Sequence, residues 1–200
     1  MTGFNKNEKD YFSREFDQES LSGHDIGSTT FEECGFSNCD FSKTCFRECS
    51  FIDCRFTNCN LSVAKFQFSR FSDVVFQDSK LIGINWTAAD WPTVAHSSPL
   101  QFVNCIMNDN TFIGLDLCRL VIKNCNARYA DFRDGVFRNA DFRQTDFSNS
   151  LFNGTDLTGA DFTEAVNYNI NIMANKIKMA KFSRFEALRL LEGLEIELID

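Results

Sequence analysis

Residues Thr30 to Leu61 read TFEECGFSNCDFSKTCFRECSFIDCRFTNCNL. Phe31, Phe36, Phe41, Phe46, Phe51, Phe56 and Leu61 recur every five residues. Two places before them stand Thr29, Cys34, Cys39, Thr44, Cys49, Cys54 and Cys59. A period of five fits neither the 3.6 of an amphipathic helix nor the 2 of a half-buried strand. Sustained, it describes a solenoid whose repeats bury their side chains only against neighbouring turns.

The frame extends both ways. Upstream it runs through Phe16, Leu21 and Ile26, although Arg14, Glu19 and His24 occupy the slot that holds small residues elsewhere. Residues 1–15, with Phe4, Tyr11 and Phe12, read as an irregular cap over the first coil. Downstream it continues through Phe66, Phe71, Phe76, Leu81, Trp86 and Trp91. It breaks where both prolines fall, at Pro92 and Pro99, and a loop or kink is expected over 92–101, since Pro cannot donate to a ladder. Phe102 follows Trp91 by one more than two pentads, so the two halves are expected to be offset or bent. The second half runs Phe102, Met107, Phe112, Leu117, Ile122, Ala127, Phe132 and onward to Phe162. It then fades through Asn167, Ile172 and Ile177 to Phe182, with Leu115 and Leu120 enlarging the small slot.

The last eighteen residues change character. Ser183-Arg184-Phe185-Glu186 fits a capping box, with Ser183 as N-cap and Glu186 reaching back. Phe185, Leu188 and Leu191 follow on one face of a short helix, Gly193 is a stop, and Leu194 to Ile199 alternates as a strand. The end of a β-solenoid exposes apolar faces and unpaired backbone that need a cover. This segment supplies one, and its leftover apolar side chains suggest a second copy related by a two-fold axis. The candidate dimer residues are Phe185, Leu188, Leu191, Leu194, Ile196 and Leu198. The expected division is a repeat body over 1–182 and a capping and dimerisation segment over 183–200.

Composition narrows the function. Net charge is −8, with 14 acids and 9 bases in residues 1–100 and 14 acids and 11 bases in 101–200. Direct nucleic-acid binding needs clustered cations and is disfavoured; a partner with a basic surface fits better. No apolar run approaches the ~20 residues of a membrane helix, and no N-terminal signal is visible, so a cytoplasmic protein is expected. Of nine cysteines, seven occupy the small slot, and only Cys45 and Cys118 lie off it. Reduced thiols serving as small hydrophobes explain that placement better than zinc, whose ligands would have to converge. With two histidines, His24 and His96, no phosphate loop and no nucleophile beside a base, an enzyme is not expected, nor a cofactor.

The pattern small residue, polar, Phe or Leu, polar, polar, as in Ala130-Asp131-Phe132-Arg133-Asp134, resembles the pentapeptide-repeat proteins. The resemblance implies an all-β fold: a right-handed quadrilateral β-helix with four pentads per coil, here with a short C-terminal helix and strand. Residues 20 apart then stack. Glu33, Asp53 and Asp73 form a vertical acidic ladder flanked by Asn38, Asn58 and Asp78, and Asp141 and Asp161 stack further along. Like charges on neighbouring strands are destabilising, which argues for a use; Asp and Asn also suit turns, which argues for none. Arg128, Arg133, Arg138 and Arg143 form a belt around one coil, with Asp131, Asp134 and Asp141 near enough to pair.

Length, the interruption Asn85-Trp86-Thr87-Ala88-Ala89-Asp90-Trp91-Pro92 and the ending Ala165-Val166-Asn167-Tyr168 … Ile177-Lys178-Met179-Ala180-Lys181-Phe182-Ser183 resemble the topoisomerase-protecting branch. That branch comprises Qnr-type quinolone-resistance and albicidin-resistance proteins. The resemblance implies a homodimer joined at its C-termini that imitates duplex DNA. It implies binding to DNA gyrase, with topoisomerase IV as a further target. The acidic ladder and the loop residues Trp91, Pro92, His96 and Pro99 are the candidate contact surface. A scaffold for another basic partner is the competing expectation.

Overall fold

The structure is a computed structural model that describes residues 4–5, 7–91, 99–194, 196 and 199. Three-residue strands pair in parallel with the strand one coil later, giving an all-β solenoid of about eight turns with one short terminal helix. Wall A stacks Asp10–Phe12, Thr30–Glu32, Ser50–Ile52 and Arg70–Ser72. Wall B stacks six strands from Glu15–Asp17 to Val121–Lys123, and wall D stacks Asp25–Gly27, Cys45–Arg47 and Lys65–Gln67. Wall C is held by single parallel bridges running Ser20, Asp40, Asn60, Lys80, Ile106, Asn126, Asp146 and Val166.

Parallel register at one height places identical side chains over one another, so the core is a set of ring columns. In wall B, Phe16, Phe36, Phe56, Phe76 and Phe102 stack with centroids 5.0, 4.5, 4.9 and 5.3 Å apart. Wall D stacks Phe46, Phe66, Trp86, Phe112 and Phe132 in the same way. Rings on adjacent walls meet edge to face, as Phe31 and Phe36 do at 5.4 Å. Each such pair contributes ~0.5–1.5 kcal/mol beyond the area it buries.

The small slot is tied to the backbone by hydrogen bonds. The Cys59 thiol donates to the Phe36 and Thr57 carbonyls, and its own N–H donates to Ser79 Oγ one coil on. Ser69 and Thr145 likewise accept from Cys49 and Cys125 N–H. The stacked thiols of Cys34 and Cys39, followed by burial, push Cys54 and Cys59 well up; burial does the same to Cys49 and Cys125. These are protonated packing residues.

Two residues past most inward side chains the chain turns a corner with φ between +48° and +72°, at Glu33, Asn38, Asp53, Asn58, Asp73 and Asp78 among others. This left-handed region favours Gly, Asn and Asp.

Four sequence expectations need correction. Tyr11 is not cap but frame: it lies in wall A, stacked on Phe31 at 5.2 Å, with Phe4 and Asn5 packed or bonded against it. The interruption causes no slip: Phe76 pairs with Phe102, 26 residues on, where Phe56 pairs with Phe76, 20 on. Six extra residues leave wall B in register and its sheet unbroken. At the other end Tyr168 and Ile170, not Asn167 and Ile172, are buried, because the coil from Phe152 to Ile170 closes in 18 residues. Finally, no capping box forms. Ser183 Oγ accepts the Glu164 N–H at 2.7 Å and Glu186 Oε2 the Asn167 N–H at 3.2 Å. Both side chains serve donors that the last coil leaves open, and the helix Glu186–Leu194 is wound as 3₁₀.

Above Phe66 the column carries Trp86, whose Nε1 donates to buried Asn110 Oδ1 at 2.7 Å. The Asn110 amide in turn donates to the Leu81 and Met107 carbonyls. Trp86→Phe keeps the ring stack but strips Asn110 Oδ1 of its donor, a loss of about 1–3 kcal/mol. Thermal unfolding should show a drop of several degrees. An unchanged midpoint would mean the bond contributes nothing.

Candidate functional site

The edge between walls A and B is built from corner residues. Glu33, Asp53 and Asp73 succeed one another there with φ of 54°, 51° and 53°, spaced by the ~4.8 Å of paired strands. Their side chains point outward because the inward position two residues earlier is held by Phe31, Phe51 and Phe71. Among the described residues neither Glu33 nor Asp53 forms an ion pair. Glu32 stands beside Glu33 on wall A and adds to the charge. The corner conformation gives Asp53 and Asp73 a structural reason to be there, but not Glu33, since Glu has no special tolerance of this region.

The same edge carries the interruption. Trp91, half-buried, stacks on Phe71 at 5.7 Å and donates Nε1 to the Trp86 carbonyl at 2.9 Å. Trp91 is the last described residue before the interruption and buried Pro99 the first after it, its carbonyl accepting the Val74 N–H at 3.1 Å. Val74 follows Asp73 directly, so the base of the loop sits over the top of the acidic ladder. Trp91 and Pro99 thus flank the interruption and are held in the body of the solenoid; Pro92 and His96 lie outside the described residues.

The other acids expected along the rod stand where the coil count puts them but are bonded or paired. Asp78 lies one edge away, between walls B and C, in a chain of amides: Asn58 donates to Asn38, Asn124 to Asn104, and Asn104 to Asp78 at 3.0 Å. Gln77 donates to its second oxygen. Asp141 and Asp161 bridge on wall B, yet each is neutralised, Asp141 by Arg143 Nε at 2.7 Å and Asp161 by Lys181 Nζ at 3.3 Å. The arginine belt is an ion-pair girdle as expected, with two partners one coil further on: Arg128 with Asp146, Arg133 with Asp131, Arg138 with Asp156 and Arg143 with Asp141. Asp134 takes no part among the described residues.

The terminal segment presents two faces. Leu190 packs against the core and Leu191 and Leu194 are half-buried, while Phe185 is 85% exposed and Leu188 and Ile196 54% each. Leu198 and most of the expected terminal strand lie outside the described residues. Among the described residues no cluster of three or more His, Cys, Asp or Glu could hold a metal ion, and no helix is long and apolar enough to cross a membrane.

Two family models match the chain, a pentapeptide repeat region over residues 29–100 and pentapeptide repeats over 122–154 and 130–166, together more than half its length. The chain belongs to the pentapeptide-repeat proteins. No curated protein matches it. Among solved structures it is similar to trypsin-treated QnrB1, a plasmid-mediated fluoroquinolone resistance protein. There the TM-score is 0.71 and identity 18%, covering 96% of this chain and 98% of that one. Full-length QnrB1 gives a TM-score of 0.60 and 20% identity, covering 91% and 100%. HetL, a pentapeptide repeat protein involved in heterocyst differentiation regulation in the cyanobacterium Nostoc sp., gives 0.63 and 18%, covering 86% and 84%. At these identities the likeness is one of fold.

The paired acids make a pH prediction. Burial pushes Asp146 up, but hydrogen bonds from Ser148, Asn167 and Arg128 outweigh it and hold the carboxyl at about 2. Asp131, Asp141, Asp156 and Asp161 are lowered in the same way against their burial. Depressed folded pKa values mean stability present above the unfolded value of about 3.9 and lost as pH falls toward 2. Asp146→Asn should cost about 2 kcal/mol at pH 7 and approach nothing near pH 2. Denaturant titrations across that range check both.

Proposed function

We propose that the chain is a DNA-mimicking protein, not an enzyme, that binds DNA gyrase in the cytoplasm and protects it from inhibitors such as quinolones or albicidin. One observation carries the reading: the A–B edge presents Glu33, Asp53 and Asp73 at coil spacing, leading directly into the base of the interruption at Trp91 and Pro99. A column of carboxylates on a rigid rod offers a basic groove what a phosphate backbone offers it. Because Asp141 and Asp161 are already neutralised by cations of this chain, the contact is confined to the first half of each rod. The loop then meets the enzyme at the inner end of that acidic half.

The C-terminal segment completes the arrangement. Phe185, Leu188 and Ile196 leave apolar surface open at one end of the rod, which a second copy related by a two-fold axis would cover. Leu191 and Leu194, half-buried, would border that contact. Two rods end to end reach roughly 70–80 Å, about twenty base pairs of duplex. The similarity in fold to QnrB1, described as a fluoroquinolone resistance protein, points the same way.

The reading is tested with purified gyrase in a supercoiling assay, with and without quinolone or albicidin. Micromolar protein should inhibit supercoiling or restore it in the presence of drug; no effect of either kind would sink the proposal. Recovery of gyrase subunits in a pull-down should fall at least tenfold when Glu33→Gln, Asp53→Asn and Asp73→Asn are combined. Recovery of some other basic protein in place of gyrase would favour a scaffold role. Leu188→Asp should halve the mass seen by light scattering without lowering the melting temperature of the coils.

A further inference from the structure

Wall D of the third coil breaks the corner rule on both sides. Val63, at φ 61°, and Phe68, at φ 56°, occupy left-handed corners flanking the strand Lys65–Gln67. A β-branched or bulky side chain in this region is an outlier, and strain of this kind concentrates at functional sites. Neither side chain is repaid by burial: Phe68 is 69% exposed and Val63 48%. Wall D also changes construction here. The sheet ends at Lys65–Gln67, and the next turn is the 3₁₀ segment Trp86–Ala88. Phe68 N–H accordingly reaches the Ala88 carbonyl, 20 residues on, where Glu48 reaches Gln67, 19 on. A depression of about 290 Å³ results, lined by Val63, Lys65, Gln67, Asn85 and Ala88.

The charge around it is basic. Lys65 lines the depression, and Lys43 and Arg47 stand one coil below; among the described residues none of the three forms an ion pair. Glu48, below Phe68, accepts a hydrogen bond from Ser28. Two apolar anchors with cations between and below them complement a segment that is apolar at its centre and acidic at its flanks. Nucleic acid fits less well, because three cations on a chain of net charge −8 neutralise few phosphates.

We propose that wall D of the second to fourth coils is a docking surface for an acidic peptide segment of a partner protein, anchored by apolar residues on Val63 and Phe68. It is a second face, opposite wall B, and does not rest on the gyrase reading.

The probe is a fluorescein-labelled synthetic peptide of glutamates around a central Leu-Trp pair, titrated with the full chain by anisotropy. The same peptide with lysines for glutamates and a labelled single-stranded oligonucleotide are the comparisons. The acidic peptide should bind at low salt and weaken as salt is added; the lysine peptide, drawn to the acidic A–B edge, should bind without responding to substitutions on wall D. Val63→Asn with Phe68→Asn should lower affinity at least tenfold while raising the melting temperature by a few degrees, because Asn accepts the corner conformation. A merely structural pair would give the rise in stability without the loss of binding. Lys65→Gln with Arg47→Gln should weaken binding and flatten its salt dependence, and Tyr129→Asn, at a corner two coils or more away, should change neither. The proposal is overturned if the acidic peptide fails to bind at millimolar concentration. It also fails if the double Asn variant binds as the wild type does, or if the oligonucleotide binds more tightly than the peptide.

Discussion

The left-handed corner is the constraint on which the rest of this molecule depends. A square coil must turn after every inward ring, and it does so through one residue with φ near +50° to +70°. Only that turn brings the next Phe inward at the same height, and only equal heights let Phe36, Phe56 and Phe76 stack face to face. The backbone penalty at each corner is offset by ring burial, at ~25 cal/mol per Å² of apolar surface, and by parallel ladders on either side. Asn, Asp and Gly meet that penalty most easily. The outer surface of the rod is therefore rich in short polar side chains before any partner is considered.

That constraint separates surface residues that need a functional explanation from those that do not. Asp53 and Asp73 have a sufficient backbone reason to occupy corners, and Asn38 and Asn58 go further by bonding into an amide column. Glu33, Val63 and Phe68 have no such reason, and neither do Lys43, Glu48, Arg119, Tyr129 and Met179 at other corners. Asp141, Asp146, Asp156 and Asp161 lie off the corners and are held by Arg or Lys of the same or a neighbouring coil. The two halves of the rod thus differ in degree. The first keeps Glu33 and Asp53 out of ion pairs among the described residues while pairing Glu8 and Asp90; the second pairs Asp131, Asp141, Asp146, Asp156 and Asp161.

The frame of the fold was legible because a five-residue period over so many repeats has no competing interpretation. Residue spacing alone was a poorer guide where local signals competed with the coil. Ser183 and Glu186 satisfy a helix-capping pattern, yet the open N–H groups of Glu164 and Asn167 on the last coil claim both side chains. The Trp91-to-Phe102 spacing suggested a slip, whereas wall B holds its register through Phe76 and Phe102 and six residues are left over for the loop. Counting from the stacked partner one coil below, and not from the preceding pentad, recovers the right answer. Glu33, Asp53 and Asp73 could be aligned by that same counting, and so could Asn38, Asn58 and Asp78 on the next edge; what counting did not show is that Asp78 is bonded there by Asn104 and Gln77. The basic patch on wall D went unseen because Lys43, Arg47 and Lys65 lie far apart in sequence and converge only once the chain is wound.

Winding also determines how a mutation on this surface acts. Each outward residue is bonded through its backbone to the coils above and below, as Phe68 is to Ala88 and Asn58 to Gln77. Exchanging an outward side chain therefore leaves the ladder intact, whereas exchanging an inward one disturbs two ring contacts or more at once, as Phe56 does between Phe36 and Phe76. The rod separates stability, held in its columns, from recognition, carried on its edges. A surface built this way can change partners without refolding, because its outward side chains are not part of the packed columns.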